Sequence, residues 1–223
     1  MKKIVLDVDG VLLSFMPAYD EAAKAVLGRD IIIHKDEYQQ DYYHLGKRVD
    51  CSLEDVDKIL IYMQTSGMYE RLKPLAGARE ALDAIKEAGF HITVVTALPE
   101  HAKEMRLKNL KDVLDFVPDE IICVGMGKSK EQALRKVAPD VFIDDRIDYL
   151  VSAPFVHHLV WCDQKEAQKE RDSLVDVHVH SLKEWSDKHM PKIVEKLDKH
   201  YAKKEPLQYE FKLESVSRKY SPK

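Results

Sequence analysis

Short apolar runs alternate along this chain with longer stretches in which apolar positions recur every three or four residues. The first run is Ile4-Val5-Leu6, stopped by Asp7-Val8-Asp9-Gly10. β-Branched members and an abrupt acidic end predict a buried parallel strand presenting two carboxylates at its carboxyl end. Pro17 then suits a first helical position. Tyr19, Ala22, Ala23, Val26 and Leu27 keep the spacing of one helical face, with Gly28 as its stop. Asp36 to His44 is polar and aromatic and reads as further helix. Ser52 suits the cap of a third helix, with Val56, Ile59, Leu60 and Met63 on one face and Gly67 beyond its end. Residues 16–70 therefore read as a helical insertion after the first strand.

From Pro74 the pattern becomes regular. Pro74-Leu75-Ala76-Gly77 opens a helix with the stripe Ala78, Ala81, Leu82, Ile85 and Ala88, closed by Gly89. Strands are predicted at Phe90–Thr96, Glu120–Gly125, Val141–Ile143, His158–Cys162 and Val175–His180. Helices are predicted from Pro99 to Leu114, Ser129 to Val137 and Leu182 to Tyr201. Strands alternating with helices argue for an α/β fold with a Rossmann-like, doubly wound parallel sheet. The expected division is a core of residues 1–15 and 71–200, the helical insertion 16–70, and a C-terminal tail 201–223. The tail is either mobile or docks Leu207–Leu213 as a strand.

Length and charge narrow the classes. With 223 residues there is room for one α/β domain plus a small insertion. A net charge of −4 gives no general pull toward nucleic acid or an anionic membrane. No apolar run approaches a membrane span, and the stretch ending at Leu6 is too short for a signal sequence. Cys51, Cys123 and Cys162 are scattered and odd in number, which fits a reducing cytoplasm.

The chemistry gathers at predicted strand ends, where open α/β sheets place their sites. Side chains alternate along an extended segment, so Asp7 and Asp9 point the same way. Two carboxylates that close are costly unless a cation or shared proton relieves them. Asp-x-Asp-Gly-Val after an N-terminal strand resembles motif I of the haloacid dehalogenase-like phosphohydrolases. The resemblance implies that Asp7 attacks phosphorus and that Asp9 is the general acid/base. An Asp in the second place is the phosphatase form of that motif. Thr96, ending its strand, matches motif II, with Ala97 supplying a backbone N–H to phosphate. Motif III is a lysine before the fourth strand, and Gly125-Met126-Gly127-Lys128-Ser129-Lys130 offers two. Ser129 as N-cap would put Lys130 in the first helical turn, so Lys130 is preferred over Lys128. Asp144-Asp145 matches motif IV. The implied cofactor is Mg²⁺, held by the Asp7 carboxylate, the Asp9 backbone carbonyl and Asp145, with Asp144 as the alternative. Asp148 is a weaker acidic candidate.

The segment D-x-D-G-V-L-x-x-F, which places Phe15 eight residues after Asp7, is similar to the 5′(3′)-deoxyribonucleotidase branch. So are Tyr69-x-x-Leu72-x-Pro74-x-x-Gly77-Ala78 and Ile143-Asp144-Asp145-Arg146. That likeness makes the insertion a substrate-selecting cap. It places Phe15 at a nucleobase pocket, with Tyr19, Tyr42 and Tyr43 as further stacking faces. The expected partner is a small phosphorylated molecule, a (deoxy)nucleoside monophosphate. A phosphatase of a small phosphosugar or phosphoacid would share every catalytic residue. A catalytically silent binding module would lack one, and none is missing. His178-Val179-His180 reads as a surface pair on a strand, and Trp161 and Trp185 as packing residues.

Overall fold

The computed structural model describes residues 1–29, 31, 45–163 and 174–203. Strand β1 (Lys3–Leu6) is followed by a two-residue strand β2 (Leu13–Ser14), then helices α1 (Phe15–Leu27), α2 (Leu45–Arg48) and α3 (Leu53–Thr65). A 3₁₀ turn at Met68–Glu70 leads to the equally short β3 (Lys73–Pro74), which pairs antiparallel with β2. The remainder runs α4 (Ala78–Glu87), β4 (His91–Thr96), α5 (Lys103–Leu114), β5 (Glu120–Cys123), α6 (Glu131–Val137) and β6 (Val141–Asp144). It ends with α7 (Ile147–Val151), β7 (His158–Cys162), β8 (Val177–Val179), α8 (Leu182–Lys188) and α9 (Met190–Lys203).

The expected doubly wound sheet is present, in the order β5-β4-β1-β6-β7-β8, with every pairing parallel. Its period-two alternation divides the core. Ile4, Leu6, Ile92, Val94, Val141 and Ile143 face a layer that includes Ala81, Ile85, Leu110 and Trp185. Val5, Val95, Phe142 and Trp161 face Leu134, Val137 and Leu150 on the other side. Both faces are covered, which is why β1 is apolar throughout its interior. The chain winds from β1 outward through β4 to β5, then crosses to β6 and winds the other way. The order therefore reverses between β1 and β6, where such sheets open a crevice at their carboxyl ends.

Local signals explain several boundaries. Ser52 Oγ accepts from the Asp55 N–H at 3.1 Å, and the Asp55 carboxylate accepts from the Ser52 N–H at 3.4 Å. This reciprocal box starts α3. Gly28 ends α1 in the left-handed conformation.

Other boundaries differ from expectation. α1 starts at Phe15, so Pro17 is its third residue, still within the turn whose N–H groups lack helical partners. Pro74 lies in β3, and α4 opens only at Ala78. Pro99–Leu114 divides into a 3₁₀ turn (Glu100–Ala102) and α5. The C-terminal helix breaks at His189 into α8 and α9, and α9 includes residues 201–203. The expected helix at 36–44, Tyr42 and Tyr43, and a strand at 207–213 lie outside the described residues. No described helix is long and apolar enough to cross a membrane.

His158 opens β7 with its ring largely enclosed. Burial pushes its pKa down to about 4, against the pull of the Asp176 carboxylate 3.9 Å from Nδ1. The folded value lies below the ordinary 6.5, so the folded state favours the neutral ring. That contribution is fully present above about pH 6.5 and is lost as pH falls toward 4. Between those values the unfolding free energy of the wild type should fall more steeply than that of His158→Asn. The difference approaches at most about 1.4 kcal/mol per pH unit, measurable by urea unfolding at stepped pH. Parallel slopes would exclude His158 as the source.

Candidate active site

The crevice between β1 and β6 is lined by acid. The Asp7 N–H donates to Ile143 O at 3.0 Å, which fixes Asp7 beside the end of β6. Beyond it the chain turns sharply, with the N–H groups of Leu12 and Leu13 both converging on Val8 O. Gly10 makes this possible, at φ +87. A Cβ there would fall 2.1 Å from Asp145 Oδ2, so a side chain would collide with the second acidic strand end.

Lys130 is fully buried and reaches into the cluster. Its Nζ lies 2.7 Å from Asp7 Oδ1 and 2.8 Å from Asp144 Oδ2. It sits just before α6, not in the first turn, and Ser129 Oγ accepts from the Glu131 N–H instead. Burial works to lower the Lys130 pKa, but the two carboxylates outweigh it and hold the ammonium charged. Burial pushes Asp144 up to about 7 against the attraction of Lys130. Asp145 is held well above the usual carboxylate range by burial, and then by Asp7 and Asp144. Lys128 is exposed, its stem lying across Gly125, and is not part of this cluster.

Carboxylate oxygens of Asp7, Asp144 and Asp145 lie within 4.8 Å of one another. Both Asp144 oxygens are engaged, one by Lys130 and one by the Arg146 N–H. Asp145 Oδ1 is buried without a partner among the described residues. Hard oxygen donors and surplus negative charge fit Mg²⁺ rather than a soft metal. Thr96 Oγ1 and Asp9 Oδ1 are also buried without partners among the described residues. Ala97, half-buried, follows Thr96 at the end of β4. Asp148 is exposed and faces Arg146 at 3.5 Å.

Phe15, expected at a nucleobase pocket, opens α1. It is buried in an aromatic stack, its ring centre 6.0 Å from Tyr19 and 6.3 Å from Tyr69. Trp161 does more than pack: its Nε1 donates to the Asp145 carbonyl at 2.9 Å. His178 stacks on Trp161, and both His178 and His180 face the Asp163 carbonyl. Arg106 was not anticipated. It is fully buried on α5, with Nη2 2.8 Å from Asp9 Oδ2. Burial raises the Asp9 pKa, and Arg106 opposes it. Its spacing with Asn109, Leu110 and Leu114 puts it on one helical face, and the structure buries that face.

The family model of the haloacid dehalogenase-like hydrolases matches residues 1–147, a span that contains the whole acidic cluster and Lys130. The chain belongs to this family. Among curated proteins, none matches it in sequence. The hydrolase shares its fold with a predicted phosphatase from Clostridium acetobutylicum, at 19% identity and a TM-score of 0.64. The match covers 85% of this chain and 98% of that one. A putative beta-phosphoglucomutase from Thermotoga maritima is 20% identical with a TM-score of 0.58, covering 89% of this chain and 99% of that one.

Lys130→Met would leave Asp7 and Asp144 buried without their cation. It should lower the unfolding free energy of metal-free protein by about 3–5 kcal/mol, read by urea denaturation. Lys128→Met should change it by less than about 0.5 kcal/mol. Equal effects would mean that the Lys130 contacts carry no stability.

Proposed function

We propose that this hydrolase is a Mg²⁺-dependent phosphomonoesterase that works through an aspartyl-phosphate. The observation that carries the reading is the Asp7 carboxylate, held at one oxygen by Lys130 within a cluster that calls for a cation. Asp7 attacks the phosphorus of a small phosphomonoester, and the bond to the leaving oxygen breaks. Asp9 gives that oxygen its proton, then takes one from the water that cleaves the aspartyl-phosphate and restores the Asp7 carboxylate. Lys130 balances charge on the phosphoryl oxygens, and Thr96 Oγ1 with the Ala97 N–H donates to them. The Asp7 carboxylate, the Asp9 carbonyl and Asp145 would hold the metal. Bound there, Mg²⁺ supplies neutralising charge and orients the phosphate.

The helices between β2 and β3 act as the cap that selects the substrate. A nucleoside monophosphate remains within the substrate set through the likeness of the Phe15 segment. With Phe15 stacked between Tyr19 and Tyr69, a base would need that stack to open. A phosphosugar or phosphoacid makes no such demand. Three free cysteines support a reducing compartment, the cytoplasm.

Hydrolysis of p-nitrophenyl phosphate should require Mg²⁺, disappear with EDTA and return on re-addition. Asp7→Asn should reduce turnover to background while unfolding cooperatively like the wild type. Full activity in chelated enzyme would refute the metal, and near wild-type activity in Asp7→Asn would refute the nucleophile. A screen over deoxynucleoside monophosphates, sugar phosphates and phosphoacids then ranks the substrates.

A further inference from the structure

The peptide unit between Asp145 and Arg146 is held from both sides. Its carbonyl accepts from Trp161 Nε1 at 2.9 Å, and its N–H donates to Asp144 Oδ1 at 2.9 Å. The C=O and N–H of one trans peptide lie in one plane and point opposite ways. Two anchors on opposite edges therefore stop that plane from turning. On its other side Asp145 follows directly on β6, so the sheet holds it there. With the backbone fixed before and after it, the Asp145 side chain leaves the chain in one direction.

That carboxylate has reason to move. Asp7 and Asp144 repel it, and its Oδ1 is buried without a partner among the described residues. A free backbone would let it retreat from the cluster. A cation bound by Asp7 and Asp145 needs it to stay.

The sheet itself places the indole. Trp161 stands in register between Asp144 on β6 and His178 on β8, and in-register neighbours of parallel strands share a face. The His178 ring stacks on the indole, with centroids 4.5 Å apart and planes 22° from parallel, and so supports its plane. Burial alone does not explain the hydrogen bond. Trp185 is equally enclosed, on the opposite side of the sheet, and its Nε1 has no partner among the described residues. This core tolerates an idle indole N–H, yet the Trp161 N–H meets the backbone of a proposed metal ligand.

We propose that Trp161 is a positioning residue for the metal: its N–H fixes the Asp145 backbone so that the carboxylate faces Asp7 before a cation arrives. This rests on the Mg²⁺-dependent reading and adds to it a group that touches neither metal nor substrate. Outer partners that orient a ligand are worth about 10- to 100-fold in metal affinity.

The test uses Mn²⁺ as the probe, since it takes the same hard oxygen donors and its free form is counted by electron paramagnetic resonance. Trp161→Phe keeps a ring at the position and removes the donor. It should weaken Mn²⁺ binding by about 10- to 100-fold. The Mg²⁺ needed for half-maximal hydrolysis of p-nitrophenyl phosphate should rise by the same factor, with kcat at saturating Mg²⁺ little changed. Trp185→Phe, the same change on the other side of the sheet, should leave both at wild-type values. Equal Mn²⁺ binding by wild type and Trp161→Phe would overturn the proposal. So would an equal loss in Trp185→Phe, since loosened packing would then be the cause. Should Trp161→Phe fail to fold, Trp161→benzothienylalanine decides, because it keeps both rings and lacks only the N–H. Weaker Mn²⁺ binding is expected of it, and wild-type binding overturns the assignment. Failure of the underlying reading looks different: the wild type itself would bind no Mn²⁺ and show no Mg²⁺-dependent turnover. A wild type that binds and turns over, with Trp161→Phe its equal, removes only the role of Trp161.

Discussion

Crowding of like charge at one end of the sheet is the constraint to which the rest of the molecule answers. Asp7, Asp144 and Asp145 meet where β1 and β6 finish, shielded from solvent by the elements around them. Such a cluster cannot persist unaided, because burial penalises each charge and each raises the cost of the next. Lys130 relieves part of this, delivered by the loop between β5 and α6. The backbone contributes too, through the Arg146 N–H on Asp144 and the Trp161 indole that ties down the Asp145 carbonyl. Gly10 is the steric counterpart, the one residue type that lets the first acidic turn lie against the second.

Much of this was legible in the sequence because it is local or periodic. Ile4-Val5-Leu6 before Asp7, and Val141-Phe142-Ile143 before Asp144, announce buried strands with acidic ends. Ser52 and Asp55 announce a helix start by chemistry confined to four residues. The order of these signals implies the parallel sheet, since alternating units admit few windings. Lys130 was singled out by the resemblance to the family's third motif, with Ser129 as the cap that favoured it over Lys128, although the helix begins one residue later than that cap suggested.

What escaped depends on contacts between distant segments. Arg106 looks like any charged residue on a polar helix until α5 is laid against the Met68–Glu70 turn, which shuts it in with Asp9 and Tyr69. The neighbours of Phe15 are of the same kind: Tyr19 lies one turn along, and Tyr69 comes from across the insertion. Trp161 reads as bulk filler because nothing in its neighbourhood along the chain shows that a carbonyl from the next strand will meet its N–H. Periodicity identifies which side of an element is buried, and it is silent on what that side will meet.

The paired strands β2 and β3 carry a consequence for how such a protein changes over generations. Leu13 faces Pro74, and the Leu75 N–H donates to Leu12 O at 2.9 Å, so the path out of the sheet and the path back are stitched together. The described part of the stretch between them also rests on α5, through Tyr69 against Arg106, Glu70 against Lys108 and Leu72 O, which accepts from Asn109. Insertions away from those contacts leave the two stitched ends where they are, and the cost of closing a longer loop grows only slowly with its length. Natural selection can thus lengthen that stretch while the acidic strand ends stay untouched. Changes of that kind fall in the part of the gene between Ser14 and Lys73, outside every strand of the parallel sheet.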